Sequence, residues 1–216
     1  MLLSCIFSGC GTNALSQTQP SSSVEKSTLE DISSLNIVEA DFPEAYMVEQ
    51  DNYFDYQPGP ECSAFSSAYL LRHYGEEAVG LELYQDFPGK LPDGNGVYPQ
   101  GIVSFFLDKG YEAEFVSDAT VEDLKREIAK GAPVIVFIHG QEPVDNLHNT
   151  HYVPIIGYDE AYFYFAESSS GLANCKDEED VAYNRKTEIE TFEKLWVNID
   201  GVWDHPYFSI LPPSKE

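Results

Sequence analysis

At 216 residues, 43% hydrophobic and 13% aromatic, the chain is long and apolar enough to close a core, which excludes disorder as a description of the whole. Its 37 acidic and 12 basic residues give a formal net charge of −25, without the Lys/Arg clusters that grip a phosphate backbone. That excludes nucleic acid as a partner and disfavours anionic lipid surfaces. Four cysteines, Cys5, Cys10, Cys62 and Cys175, form no CxxC pair, so neither a disulfide framework nor a structural zinc site is expected.

The chain opens Met1-Leu2-Leu3-Ser4-Cys5-Ile6, a short apolar run. Phe7-Ser8-Gly9-Cys10 then resembles a bacterial lipobox, which implies an export signal over 1–10 and a lipid anchor at Cys10. Residues 11–36, rich in Ser, Thr and Gln, read as a flexible tether, and 37–216 as the folded domain. The expected location is therefore extracytoplasmic. No later run of about 18 apolar residues would span a bilayer.

Pro58-Gly59-Pro60 breaks the chain, and Cys62 to Tyr74 follows as a helix with Ala64, Ala68 and Leu71 on one stripe and Gly75 as its stop. Further helices are predicted over 76–85, 99–109 and 121–130, with a strand over 111–116. The period then changes. Residues 133–139, 151–158 and 162–166 read as strands, the last two joined by a tight Asp159-Glu160-Ala161 turn. Residues 168–187 read as loop, 192–197 as a short helix and 207–211 as a closing strand. Helices first and antiparallel strands later predict an α+β fold.

Cys62 falls at the mouth of a helix, where unpaired N–H groups and the helix dipole favour an anion such as a thiolate nucleophile. Gln57, across the turn, could donate its amide N–H to an oxyanion. Of five histidines, His73 is about three turns along the same helix, His205 is in a terminal loop, and His139 closes a strand. His151 opens an apolar strand, a rigid mount for a base. If Tyr158 pairs with Tyr162 across the turn, Glu167 lies opposite Val153, on the same face as His151. A carboxylate there would orient the imidazole.

Gln57-Pro58-Gly59-Pro60-Glu61-Cys62-Ser63-Ala64-Phe65 and the helix to Gly75 resemble the nucleophile helix of the bacteriocin-processing, double-glycine-leader peptidases of the papain-like clan. His151-Tyr152-Val153-Pro154-Ile155-Ile156-Gly157-Tyr158-Asp159 is similar to that family's histidine strand, and Thr191 to Trp196 resembles its last helix. The resemblance implies a papain-like fold, helices packed on an antiparallel sheet, and peptide-bond hydrolysis through a thioester. It implies Cys62 as nucleophile, His151 as base and acid, Gln57 as oxyanion donor and Glu167 as orienting carboxylate, with a peptide substrate and no cofactor. The chain departs from the pattern in carrying Glu167-Ser168 where Asp-Pro is usual, and Ser63 where Gly is frequent.

Three other readings stand beside this one: a metal site from Glu142, Asp145, His148 and His151; a non-catalytic binding module on the same scaffold; and a cell-wall amidase or transpeptidase. Cys175, in Asn174-Cys175-Lys176-Asp177-Glu178-Glu179-Asp180, reads as an exposed thiol on a solvated acidic loop.

Overall fold

The computed structural model describes residues 41–49, 51–144 and 149–213, which belong to one compact unit. Its elements are β1 (Tyr46–Met47), α1 (Cys62–His73), α2 (Gly80–Gln85), α3 (Pro99–Asp108), β2 (Glu112–Val116), α4 (Val121–Ile128), β3 (Val134–His139), β4 (Thr150–Tyr158), β5 (Tyr162–Phe165), β6 (Arg185–Glu188), α5 (Ile189–Leu195) and β7 (Tyr207–Leu211). Seven strands form one antiparallel sheet in the order β2-β7-β3-β4-β5-β6, and β1 pairs with the far end of β4.

The α+β reading and the placement of helices against an antiparallel sheet hold. β3 is buried at every position, so its side chains feed two cores by simple alternation. Ile135 and Phe137 point into a core with Ala64, Ala68 and Leu71 of α1 and Ile102 and Phe106 of α3. Val134, Val136 and Ile138 join Leu124 and Ile128 of α4, and Phe192 and Leu195 of α5, on the other side.

Helix α1 starts where the Pro-Gly-Pro turn ends, and is buried from Cys62 through Leu71. Its Ser and Ala residues make a thin helix that can lie close to the strands. Ser66, one turn beyond Cys62 on the same face, donates its hydroxyl to the Tyr152 carbonyl at 2.9 Å. The helix ends at Gly75, whose φ of 87° lies in the left-handed region.

Several boundaries differ from expectation. Helix α2 begins at Gly80 rather than residue 76. At Gly80 a Cβ would stand 2.6 Å from the Phe65 ring, so only glycine permits this approach to α1. Helix α5 starts at Ile189, three residues before the predicted Phe192. The segment 168–187 is not wholly loop. Its last three residues begin β6, whose Arg-Lys-Thr-Glu sequence has no apolar alternation and is recruited by pairing with β5. Strand β1 is too short to leave a periodic trace.

The loop between α2 and α3 forms one wall of the site, and Gly101 fixes its position. A Cβ there would run into the Pro88 carbonyl and stand 2.5 Å from Val97 Cγ1. Gly101→Ala is expected to cost about 1–3 kcal/mol in chemical denaturation, by overpacking this loop against α3. A variant of unchanged stability would contradict so close a fit.

Candidate active site

Cys62, the first residue of α1, and His151, near the start of β4, are brought into hydrogen-bonding contact through their side chains. They are 89 residues apart in the chain (151 − 62). His151 Nε2 donates to Glu167 Oε1 at 2.7 Å, which leaves Nδ1 as the ring nitrogen for the sulfur. All three side chains are buried; Glu167 is only 1% exposed.

Glu167 arrives by a route that differs from the predicted one. The β4–β5 turn is one residue longer than expected, and Tyr158 pairs with Phe163 rather than with Tyr162. A slip of one residue would turn Glu167 to the wrong face. The register shifts again between Gly157 and Ile155, so that Ile155 pairs with Phe165. Ile156 is the extra residue of this bulge. The Ala166 N–H then bonds the Pro154 carbonyl at 3.0 Å, and the restored register carries Glu167 toward Val153, on the His151 face.

The carboxylate is held on every side. Oε1 also accepts the Ser169 N–H at 2.6 Å, and Oε2 accepts from Arg185 Nη1 at 2.8 Å. Arg185 Nη2 in turn donates to the Gly140 carbonyl at 3.2 Å. Asn184 clamps the Glu167 backbone from both ends of the peptide: its Oδ1 accepts the Glu167 N–H at 2.7 Å and its Nδ2 donates to the Glu167 carbonyl at 2.8 Å.

Burial alone would push Glu167 up, but the charge and hydrogen bond of His151, then Arg185 and the Ser169 N–H, draw it down to about 2. For His151, burial alone would favour the neutral ring. The Glu167 charge and the hydrogen bonds to Cys62 and Glu167 overcome this and push it up to about 10. Both directions describe one arrangement, in which a buried imidazolium is favoured between two anions.

Gln57 lies beside this group. Its backbone N–H bonds the Ser168 carbonyl at 2.9 Å, and its Oε1 accepts from Ser168 Oγ at 2.7 Å. Its Nε2 donates to the Gly59 carbonyl at 2.6 Å. An amide nitrogen carries two hydrogens, so this contact uses one and leaves the other for a further acceptor.

A cavity of about 370 Å³ opens at Cys62. Leu91, Gly96 and Val97 line one wall, and Phe137, Tyr152 and Trp203 the other. Tyr152 stacks on Phe137 with ring centroids 4.2 Å apart, and its hydroxyl donates to the Val97 carbonyl at 2.9 Å. The residue after His151 thus ties the two walls together.

Arg185, Asn184 and Ser66 are the participants that sequence reasoning missed. A single Arg in a polar stretch looks like solvated surface, and a Ser inside a helix looks like filler. Cys175 corrects an expectation: it is 3% exposed, not an exposed loop thiol. Its N–H bonds the Asn184 carbonyl at 2.9 Å, which folds the loop back over the sulfur. Burial, then Glu178, pushes that thiol up. Asp145 and His148 of the metal reading lie outside the described residues, as do Cys5 and Cys10. His151 is engaged with Cys62 and Glu167 instead, and among the described residues no group of three or more His, Cys, Asp or Glu could hold a metal ion.

The opposed shifts of Glu167 and His151 set a stability window. Glu167 is depressed below its ordinary 4.5, so its contribution is whole above that value and lost as pH falls toward 2. His151 is raised above its ordinary 6.5, so its contribution is whole below that value and lost as pH rises toward 10. The stability difference between the wild type and Glu167→Gln, from denaturant midpoints, should be largest between those ordinary values and narrow on both sides. A difference flat with pH would show that the pair is not ionised in the folded state.

The sequence matches the Peptidase_C39 like family over residues 47–203. A crystal structure of a C39-like peptidase from Bacillus anthracis superposes with a TM-score of 0.59 at 18% identity, covering 78% of this chain and 98% of that one. A double glycine motif protease from an AMS/PCAT transporter, solved with its leader peptide, gives 0.52 at 16% identity, over 77% and 94% of the two chains. Xylellain, a cysteine protease from Xylella fastidiosa, gives 0.53 at 12% identity, over 82% and 88%. No curated protein matches. With the family match spanning most of the chain, and the same papain-like layout in these structures, the protein belongs to the Peptidase_C39 like family of cysteine peptidases.

Proposed function

We propose that the protein hydrolyses peptide bonds by a Cys62–His151 thioester mechanism, outside the cytoplasm. The observation that carries the proposal is the Cys62–His151–Glu167 chain of side-chain contacts, opening on a cavity at the sulfur. Family membership supports a peptide as substrate.

In this reading the Cys62 thiolate attacks the scissile carbonyl carbon, and the carbonyl π electrons move to oxygen. The oxyanion is met by N–H groups at the start of α1 and by the second amide hydrogen of Gln57. As the tetrahedral intermediate collapses, the C–N bond breaks and His151 gives its Nδ1 proton to the leaving amine. His151, now neutral, takes a proton from water. The hydroxide attacks the thioester, the C–S bond breaks and Cys62 leaves as the thiolate, restoring the ion pair. Glu167 keeps the ring oriented through Nε2 and stabilises the imidazolium without taking its proton.

The extracytoplasmic location rests on the lipobox-like Phe7-Ser8-Gly9-Cys10 and the polar 11–36 segment. Among the described residues no helix is long and apolar enough to cross a membrane. Labelling with a clickable fatty acid, lost on Cys10→Ser, would test the anchor.

Cys62→Ala and His151→Ala are each expected to lower kcat/KM on a peptide substrate by about 10³-fold or more. Iodoacetamide at neutral pH should alkylate Cys62 well ahead of Cys175, whose buried thiol resists ionisation. Equal alkylation of the two, or full activity in Cys62→Ala, would end the proposal.

A further inference from the structure

We infer that Arg185 is a positioning residue of this hydrolytic site, holding Glu167 ionised and aimed at His151 from the far side of the carboxylate. The inference rests on the reading of Cys62 and His151 given above. It concerns a residue on the edge strand β6 that does not touch the sulfur.

The geometry divides the carboxylate between two cations. Oε1 faces His151 and Oε2 faces Arg185, at 2.7 and 2.8 Å. Neither side chain of the second pair reaches water to any extent, with 6% exposure for Arg185 and 0% for Glu167. Arg185 is itself fixed. Its Nη2 is bound to the Gly140 carbonyl just beyond β3, and its guanidinium lies over the Phe165 ring, 5.3 Å from the centroid. Phe165 is its cross-strand partner. A rigid fork of this kind accepts a carboxylate in one orientation, which a flexible ammonium would not enforce.

The charges close. The thiolate of Cys62 and the carboxylate of Glu167 supply two negatives, and the imidazolium of His151 and the guanidinium of Arg185 supply two positives. Without Arg185 the buried group carries one net negative charge whenever the ion pair is formed. With His151 neutral, as in the thioester, Glu167 would have no counter-charge beside it. Burial penalises both states. The charged groups facing Glu167 are His151 from β4 and Arg185 from β6, with Cys62 from α1 behind His151. Ser169 N–H and Asn184 add uncharged donors. Removing Arg185 therefore favours proton uptake by the carboxylate.

Any buried ion pair can matter for stability alone, so the deciding readout is a pH profile. Wild-type alkylation comes first: an inert Cys62 overturns the hydrolase reading and this inference with it. With Cys62 reactive, kcat/KM on a peptide is followed against pH for wild type, Arg185→Met, Arg185→Gln and Arg185→Lys. The two neutral variants should move the acid limb upward by roughly one pH unit. Arg185→Lys, which keeps the charge but loses the bidentate fork, should keep the acid limb near that of wild type, with a lower maximum. Arg185→Gln retains an amide donor and decides the matter if Arg185→Met does not fold. A folded neutral variant whose acid limb coincides with that of wild type, whatever its maximum, overturns the inference.

Discussion

A negative charge almost out of reach of water is the constraint around which this molecule is arranged. The Glu167 carboxylate is 1% exposed. Such a charge is tolerated only where donors and counter-charges replace its hydration. His151 comes from β4, Arg185 from β6 and the Ser169 N–H from the chain just beyond β5. The sheet order β3-β4-β5-β6 puts these groups side by side. The family's usual aspartate is one methylene shorter. Here the longer glutamate lies between two cationic partners, one for each oxygen.

The sulfur is supplied from the other side, by a helix rather than the sheet. Cys62 and Ser66 lie one turn apart on α1, and the Ser66 hydroxyl is fastened to the Tyr152 carbonyl. The residue after His151 thus locates the helix that carries its partner. Tyr152 does more, since its ring stacks on Phe137 and its hydroxyl holds the Val97 carbonyl. Sulfur, imidazole and both cavity walls are thereby referred to one residue of β4. Position is set by short links to a rigid strand, which is how a site keeps its geometry without depending on long loops.

Much of this was legible in the sequence because it follows from local rules. The Pro-Gly-Pro break announces the start of α1, and the apolar run after Thr150 announces β4. Glu167 was identified through a register that fails at the turn and recovers at Ile156, where the bulge restores the pairing. Period two and a short turn are readable; a bulge is not, because the extra residue is as apolar as its neighbours. Arg185 was hidden for a different reason. Its environment is made by the return of a long polar excursion onto an edge strand, and no window around residue 185 contains that information. The burial of Cys175 was lost in the same way, since it depends on a contact with Asn184 across nine residues (184 − 175).

That excursion has a closed neck. It leaves the sheet at Glu167 and returns at Asn184 and Arg185, and the Asn184 side chain bridges both backbone groups of Glu167 at the crossing point. What happens beyond the neck is mechanically uncoupled from the carboxylate, because closing a longer loop adds little free energy once its ends are pinned. The 168–183 stretch is therefore a cassette. Evolution can lengthen it, shorten it or re-sequence it to meet different surroundings while the chemistry at its base keeps the same frame.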